Sequence, residues 1–364
     1  MKLVVLGLSL SSAWGNGHAT TFRALLEAYA ERGHDILFLE RDVPWYRGHR
    51  DLEDPAYCRL SFYQSLGDLQ QWSGEIAGAD AVMVGSYVPD GVEVGRFVQR
   101  TAGGVTAFYD IDTPVTLAKL ERSDFEYLSP DVIPGYNLYL SFTGGPTLRH
   151  LEDHYGSPAA RALYCSVDAE KYRPLDVPAR WDLSYLGTYS DDRQPTVEKL
   201  LNAAARALPH RRFCVAGPQY PAGIDWPGNV ERIDHVPPAD HAAFYAASRF
   251  TLNVTRDDMI KAGWSPSVRL FEAAACATPV ISDVWAGLEK LLQPPREILF
   301  ARTTEDVIAA LEGLDESQSS AIGRAARQRV LAEHTAVHRA AELDGHFEEA
   351  RRRKSALALP ATGR

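Results

Sequence analysis

The chain has 364 residues and a formal net charge of −10, from 38 Lys and Arg against 48 Asp and Glu. An acidic balance of this kind argues against a general binder of nucleic acid or of anionic membranes. Hydrophobic residues make up 45% and charged residues 24%, which is typical of a globular protein. The length accommodates two domains of ordinary size.

The cysteines and the first ten residues of the chain indicate in which cellular compartment the protein is expected. Free cysteines in apolar segments behave as small buried hydrophobes, which favours a reducing environment. The four cysteines are scattered without metal-ligand spacing, at Cys58, Cys165, Cys214 and Cys276. Residues 1–10 resemble a signal peptide, but the apolar stretch is short and leads directly into a Gly-rich turn, as a first strand does. No apolar run approaches the roughly 20 residues of a membrane span. We therefore expect a cytoplasmic protein without an integral membrane segment.

The first half of the chain alternates strand and helix patterns. Apolar residues recur at helical spacing between Phe22 and Tyr29, and Gly33 is placed to end that helix. Short, nearly continuous apolar runs predict strands buried on both faces. These runs are residues 2–9, 35–39, 81–84, 105–109 and 136–142, with a helix near 92–98. Repeated strand–helix units predict a parallel sheet with right-handed crossovers.

A polar, Pro-bearing break over residues 167–180 is typical of a linker, and the alternation restarts after it. Strands are predicted at residues 183–186, 212–216, 230–233, 250–254, 279–282 and 298–301. Helices are predicted at 196–207, 239–247, 267–276 and 304–313, followed by one long helical segment over 319–353. The sequence thus predicts an α/β protein with an N-terminal Rossmann-like domain (1–166), a linker (167–180), a C-terminal Rossmann-like domain (181–335), and a C-terminal helix and tail (336–364).

The tail contains the one dense basic cluster, Arg351 to Lys354. A solvated helix end is favoured over a lipid-binding patch, because membrane recognition usually takes more basic residues.

Parallel α/β sheets bind ligands at the carboxyl ends of their strands, so the loops that follow the predicted strands are the expected ligand sites. The first such loop contains Gly15, Gly17 and His18 ahead of a helix. Glycines allow a ligand to approach the backbone, and a helix N-terminus favours negative charge. The glycines alone are weak evidence, and His18 could equally be a solvent-exposed residue at a helix start.

A second loop, Tyr109 to Pro114, places Asp110 and Asp112 directly after an apolar strand. Either carboxylate could orient a neighbouring histidine or act as a base. The alternative is that Asp112 caps a helix with Pro114 in its first turn, and both roles can hold together.

A third loop leads into the helix that contains Arg269 and Glu272, with Ser267 as its expected N-cap. The free N–H groups of that helix start form an anion site suited to a diphosphate. Glu272 precedes an Ala-rich, otherwise apolar helix, where a charge needs a partner or a function. The alternative is a surface ion pair between Arg269 and Glu272.

The segment from Arg269 to Ile281, RLFEAAACATPVI, strongly resembles the donor-site helix of GT-B glycosyltransferases, usually written LEAMACGTPVI. Further segments resemble the group in the same order: the interdomain linker at 167–174, a glycine at Gly187 followed six residues later by Arg193, and the segment 236–245. The start of the chain, 15–33, resembles the acceptor domain. The pattern looks closest to the CgeB-like, spore-maturation branch.

The resemblance implies a fold of two Rossmann-like domains with parallel sheets facing across a cleft. It implies a sugar transfer in which Arg193 contacts the donor diphosphate and Glu272 binds the nucleotide ribose. His18 resembles the base of inverting GT-B enzymes, which an aspartate about a hundred residues later commonly orients, so His18, Asp110 and Asp112 are the expected catalytic residues. The expected donor-binding residues are Gly15, Gly17, Gly187, Thr188, Arg193, Ser267, Arg269 and Glu272.

The chain departs from the group at one position. Retaining members often have two glutamates separated by seven residues, and the place of the first is occupied by Trp264. A donor-sugar contact is therefore missing or supplied differently, and the sequence leaves the stereochemistry open.

The leading hypothesis is therefore a glycosyltransferase that uses a nucleotide-diphosphate-sugar and an unidentified acceptor, without a cofactor or an essential metal. A nucleotide-sugar epimerase or hydrolase on the same fold is a second hypothesis, and a non-catalytic sugar-nucleotide-binding protein is a third. An NAD-dependent oxidoreductase is disfavoured because the first loop lacks a full GxGxxG. The donor, the acceptor and the oligomeric state cannot be read from the sequence.

Overall fold

The computed structural model describes residues 1–14 and 17–358, with the side chains of residues 357 and 358 excepted. The chain divides into two compact units. The first unit comprises Met1–Ser166 and the chain from Ala336 onward, and the second comprises Val167–Thr335. The segment expected to be a linker therefore belongs to the second unit, and the C-terminal helix belongs to the first.

The first unit is built on a parallel sheet of seven strands. The strands are β1 (Lys2–Gly7), β2 (Asp35–Arg41), β3 (Arg59–Tyr63), β4 (Ala81–Gly85), β5 (Val105–Asp110), β6 (Leu138–Ser141) and β7 (Ala160–Ala162). Its helices are α1 (His18–Glu31), α2 (Pro44–Arg47), α3 (Ser73–Ala77), α4 (Gly91–Thr101), α5 (Thr113–Glu121) and α6 (Pro146–Asp153), with 3-10 turns at Asp68–Trp72 and Ile133–Gly135.

The strand order of this sheet is β3-β2-β1-β4-β5-β6-β7. Strands β4 and β5 are buried along their whole length, as the continuous apolar runs predict for strands covered by helices on both faces. The order reverses between β1 and β4. The loops after these two strands therefore flank the position where open α/β sheets bind ligands.

The second unit has a parallel sheet of six strands. They are β8 (Trp181–Leu186), β9 (Phe213–Ala216), β10 (Val230–Ile233), β11 (Ser248–Asn253), β12 (Val280–Ser282) and β13 (Leu299–Phe300). The first helices are α7 (Gln194–Val197), a π-helical turn (Glu198–Asn202) and α8 (Ala203–Ala207), followed by a 3-10 turn (Pro238–Asp240) and α9 (His241–Ala246). The remaining helices are α10 (Asp257–Ala262), α11 (Val268–Ala275), α12 (Leu288–Leu291), α13 (Thr304–Gly313) and α14 (Glu316–Glu333).

The strand order of the second sheet is β10-β9-β8-β11-β12-β13. Its reversal lies between β8 and β11, so the two sheets share one topology. An apolar core that includes Leu183, Phe250 and Ile281 fills the space between this sheet and its helices.

The long closing helix predicted over 319–353 is two helices, α14 and α15 (Ala336–Ala358). The chain leaves helical geometry at His334 and Thr335. Thr335 pairs with Val167 in an isolated parallel bridge, and the ring of His334 stacks on Phe271 at 4.8 Å between centroids. These contacts end α14 where the chain passes from the second unit back to the first.

Strands β3 and β7 were not predicted. Strand β3 is only partly buried, and β7 spans three residues at the edge of the sheet. Edge strands of this kind lack the continuous apolar run on which the prediction depends.

Two residues of the basic cluster contact the first unit's backbone. Lys354 donates to the carbonyl of Gly103 at 3.0 Å, and Arg353 donates to that of Pro158 at 3.1 Å. The cluster thus contributes to holding α15 in place. Among the described residues, no helix has the length and apolarity needed to cross a bilayer.

Candidate functional site

Arg269, in the first turn of α11, connects the two strand ends at the reversal of the second sheet. Its Nε donates to the carbonyl of Leu186 at 2.7 Å, and its Nη1 donates to Asn253 Oδ1 at 3.0 Å. Leu186 ends β8 and Asn253 ends β11. The guanidinium is 7% exposed and lies 4.9 Å from the ring centre of Tyr185. A buried positive charge therefore lies at the position where the topology predicts a ligand.

Ser267 is the N-cap residue of α11, as predicted, but its side chain makes no capping hydrogen bond. The hydroxyl instead donates to Asn253 Oδ1 at 2.8 Å. The side-chain amide of Asn253 donates in turn to Ser282 Oγ at 2.9 Å, at the end of β12. The first-turn N–H groups of α11 are thus left without a cap from Ser267, which keeps the helix start suited to an anion.

The carboxylate of Asp283 follows β12, and this residue was not among the predicted site residues. It accepts hydrogen bonds from the backbone N–H of Thr255 at 2.6 Å and from its hydroxyl at 2.8 Å. Burial raises the pKa of Asp283, and its hydrogen bonds oppose that shift. The same hydroxyl of Thr255 accepts from the indole of Trp285 at 3.1 Å. Asp283 thus fixes the loop after β11 against the loop after β12.

Glu272 lies one turn after Arg269 and is 6% exposed. Its Oε2 accepts a hydrogen bond from Tyr245 at 3.1 Å and lies 3.9 Å from Nδ1 of His241. Arg269 is engaged with the strand ends, so the alternative of a surface pair between Arg269 and Glu272 is wrong. Both residues are buried, and each has its own partners.

The loop after β8 contains the remaining predicted donor residues. Arg193 donates from Nη2 to the carbonyl of Thr188 at 2.7 Å, and its buried Nε has no hydrogen-bond partner in the described chain. Gly187 is packed closely: a Cβ there would lie 2.7 Å from Tyr185 Oη and 2.9 Å from Arg269 Nη2. Gly187 and Arg269 are therefore neighbours in the fold, 82 residues apart in the chain.

In the first unit, His18 is the first residue of α1, and Gly17 is the exposed N-cap. The predicted residue Gly15 lies outside the described residues. The ring of His18 is 9% exposed and meets the ring of Tyr87 edge-on, with centroids 5.1 Å apart. Tyr87 follows β4 and has a left-handed backbone with φ +63. His18 and Tyr87 thus flank the strand-order reversal of the first sheet.

Asp110, at the end of β5, is completely buried. Tyr139 donates to its Oδ2 at 2.6 Å, while Thr116 and the backbone N–H of Asp112 donate to its Oδ1 at 2.9 and 3.2 Å. Burial raises the pKa of Asp110 to about 6, although these hydrogen bonds oppose the shift. The carboxylate therefore belongs to a buried hydrogen-bond network within the first unit.

Asp112 occupies the N-cap position of α5, but its side chain makes no capping hydrogen bond. It lies beside Tyr87. Burial raises the pKa of the Tyr87 hydroxyl, and the negative charges of Asp112 and Asp110 raise it further. Tyr87 is thus in contact with His18 and close enough to Asp112 to be affected by its charge.

The expectation that an aspartate orients His18 and raises its basicity is not what the structure shows. Nδ1 of His18 is buried without a hydrogen-bond partner in the described part of the chain, and burial lowers the pKa of the ring to about 3. Desolvation disfavours the imidazolium, and among the residues that the structure describes no carboxylate offsets it. The imidazole is neutral at physiological pH.

Within residues 1–14 and 17–358, no group of three or more His, Cys, Asp or Glu side chains is arranged to hold a metal ion. Cys58, Cys165, Cys214 and Cys276 form no disulfide among the described residues.

Residues 193–345 match the model of a family described as Glycosyl transferase-like. No curated protein sequence shows significant similarity to the chain.

Several solved structures have the same fold. Sucrose-phosphate synthase from Thermosynechococcus elongatus is 15% identical, with a TM-score of 0.70 over 98% of this chain and 100% of that chain. Anabaena HepE in complex with UDP-glucose is 12% identical, with a TM-score of 0.69 over 96% and 100%. An alpha-glucosyltransferase in complex with UDP is 9% identical, with a TM-score of 0.71 over 96% and 100%. The fold of this chain is thus the GT-B fold, with two parallel α/β sheets.

Proposed function

We propose that this protein is a glycosyltransferase that moves a sugar from a nucleotide-diphosphate donor to an acceptor hydroxyl. The observation that carries the proposal is the position of Arg269. A buried guanidinium and an uncapped helix start meet at the strand-order reversal of the second unit. Arg269 and the start of α11 lie within residues 193–345, which match the Glycosyl transferase-like family model.

The chemistry of the second unit suits a diphosphate leaving group. Departure of the nucleoside diphosphate develops negative charge, which fixed positive charge and N–H dipoles stabilise. The unpartnered Nε of Arg193 supplies a further donor for this charge. Gly187 and Thr188 lie in the loop after β8, and Ser267 lies at the start of α11. We propose that Glu272 accepts a hydrogen bond from a ribose hydroxyl. Structures of the same fold contain UDP or UDP-glucose, and we propose a UDP-sugar as the donor.

The first unit would supply the acceptor site with His18 as the base, and we propose Gly15 and Gly17, which precede His18 in the chain, as donor contacts. A general base must be unprotonated before reaction, and the buried imidazole meets that condition. A pKa of about 3 is too low for efficient proton transfer, so this role requires that ligand binding raise the pKa of His18. Tyr87 is the group in contact with the ring. We propose no metal and no cofactor for the reaction.

The pattern of the donor helix supports assignment to the CgeB-like branch. Cysteines that are not joined in disulfides suit a reducing compartment, and we propose a cytoplasmic location.

The test has two steps. Thermal shift with UDP-, GDP-, ADP- and dTDP-glucose identifies the donor, because a ligand that binds the folded state raises its melting temperature. Incubation with the radiolabelled donor and a panel of acceptors then distinguishes the reactions. A glycosylated acceptor supports the proposal. Only free sugar indicates a hydrolase, a converted donor sugar an epimerase, and binding without turnover a non-catalytic protein.

A further inference from the structure

Trp14, in the loop after β1, combines high exposure with a fixed ring. It is 57% exposed, and its indole stacks on the imidazole of His49, with centroids 4.3 Å apart and planes 9° apart. Large aromatic side chains are among the residues that a folded chain gains most by burying. An indole held in place at the surface therefore points to a ligand.

The start of this loop is held by a buried carboxylate. Glu40, in β2, is completely buried and accepts hydrogen bonds from the backbone N–H groups of Leu10 at 2.6 Å and of Ser11 at 2.8 Å. The hydroxyl of Ser11 donates to the same carboxylate at 2.6 Å. These contacts fix the direction in which the chain leaves β1.

The loop is also tied to the segment that contains His49. The hydroxyl of Ser12 donates to the carbonyl of His49 at 2.8 Å and accepts from the N–H of Trp14 at 3.3 Å. The N–H of Ala13 donates to Asp51 at 3.2 Å. Both rings of the stack are thus positioned by their backbones before any ligand binds. Such preorganisation reduces the entropy that binding would cost.

Polar groups lie next to the stack. Asp51 forms a bidentate pair with Arg23, at 2.6 and 3.1 Å, and its side chain remains 52% exposed. An apolar surface beside hydrogen-bonding charges suits a pyranose, whose C–H groups cover an aromatic face while its hydroxyls bond to carboxylate and guanidinium. A fully apolar ligand would leave these charges poorly solvated.

We propose that the Trp14–His49 stack is a binding platform for a sugar ring of the acceptor, so that the acceptor is a carbohydrate. The inference rests on the proposed function and adds to it the class of the acceptor. Trp14 lies four residues before His18, in the loop that leads to the proposed base.

The test is a titration of the full-length protein with methyl α- and β-D-glucopyranosides, galactopyranosides and mannopyranosides, followed by the indole N–H resonances. The signal of Trp14 is the one that disappears in Trp14→Phe. Trp45 is the matched control, since it is 56% exposed and its ring meets that of Tyr46 edge-on rather than stacked. We expect at least one pyranoside to shift the Trp14 signal selectively. Trp14→Ala should weaken its binding about tenfold or more, which corresponds to roughly 1.4 kcal/mol, and Trp45→Ala should not.

The proposal fails if no pyranoside shifts the Trp14 resonance, or if Trp14 and Trp45 respond equally. It also fails if 4-methylumbelliferone, a planar aromatic probe, binds at Trp14 more tightly than every pyranoside. Donor binding is measured separately on the same variants. A protein that binds no nucleotide-sugar contradicts the proposed function, whereas unchanged donor binding with no sugar at Trp14 contradicts this inference alone.

Discussion

The ring of His18 meets the ring of Tyr87 edge-on, at 5.1 Å between centroids and 82° between planes. His18 follows β1 and Tyr87 follows β4, so this contact joins the two loops at the strand-order reversal of the first sheet. The second sheet has the corresponding arrangement, because Arg269 joins the ends of β8 and β11. Each unit therefore places a buried ionisable candidate residue at the equivalent point of the same topology.

Removing the proposed base should affect chemistry and leave donor binding intact. We expect His18→Ala to lower the transfer rate by about 10²-fold or more, as general-base contributions run roughly 10²–10⁴, with an unchanged donor Kd. Single-turnover rates and calorimetric donor titrations measure the two effects. A normal transfer rate in a folded variant excludes His18 as the base, and a product with retained anomeric configuration excludes the inverting mechanism.

The buried carboxyl of Asp110 should make stability depend on pH. Its pKa is raised from 3.8 to about 6 in the folded state, so between these values the folded protein binds more protons than the unfolded chain. Its stabilising contribution is complete below about 3.8 and is lost as the pH rises through about 6. Asp110→Asn should remove this loss, so that the variant's melting temperature, relative to that of the wild type, rises between about pH 4 and about pH 7. A constant difference across that range would show that Asp110 does not titrate there.

Glu272 should contribute to donor affinity. We expect Glu272→Ala to weaken binding of the nucleotide-sugar at least several-fold, because a buried charge-assisted hydrogen bond contributes roughly 1.5–3 kcal/mol. The control is Tyr245→Phe, which removes a hydroxyl that donates to Glu272 while leaving the carboxylate in place. Unchanged donor Kd in a folded Glu272→Ala variant would assign the carboxylate a structural role only.

Arg193 should matter more for turnover than for folding. Its charge would act on the leaving diphosphate, so Arg193→Ala should reduce kcat with a small change in melting temperature. Arg206 is a matched control in the same helical segment, where it pairs with Glu198 at the surface. Arg206→Ala should leave kcat unchanged. A large drop in melting temperature with near-normal activity would make Arg193 a structural residue.

A substitution at Gly187 tests whether close packing beside Arg269 is needed for donor binding. A Cβ at this position would lie 2.9 Å from Arg269 Nη2, so Gly187→Ala should displace the guanidinium and weaken donor binding. Gly223→Ala is the control, since a Cβ there meets no atom within 4 Å. Donor titrations of both variants measure the effect. Equal donor affinities for the two variants would show that the position of Arg269 is not limiting.

The fold class followed from the sequence by itself, because strands and helices are predicted from patterns of neighbouring residues in the chain. Apolar runs such as 81–84 and 105–109 predict buried parallel strands without knowledge of their neighbours. Local chemistry also placed Ser267 at the start of α11 and marked the helix that follows it. The edge strands β3 and β7 and the break at His334 depend on contacts with residues distant in the chain. The local pattern therefore did not predict them.

Only the tertiary structure decided what the candidate residues contact. The partners of Arg269 are 83 and 16 residues away, and strand order, which no local pattern contains, brings them together. Asp110 is bound by Tyr139 from the adjacent strand rather than by His18. The low pKa of His18 has the same origin, since desolvation depends on what packs around a ring and the sequence does not specify that packing.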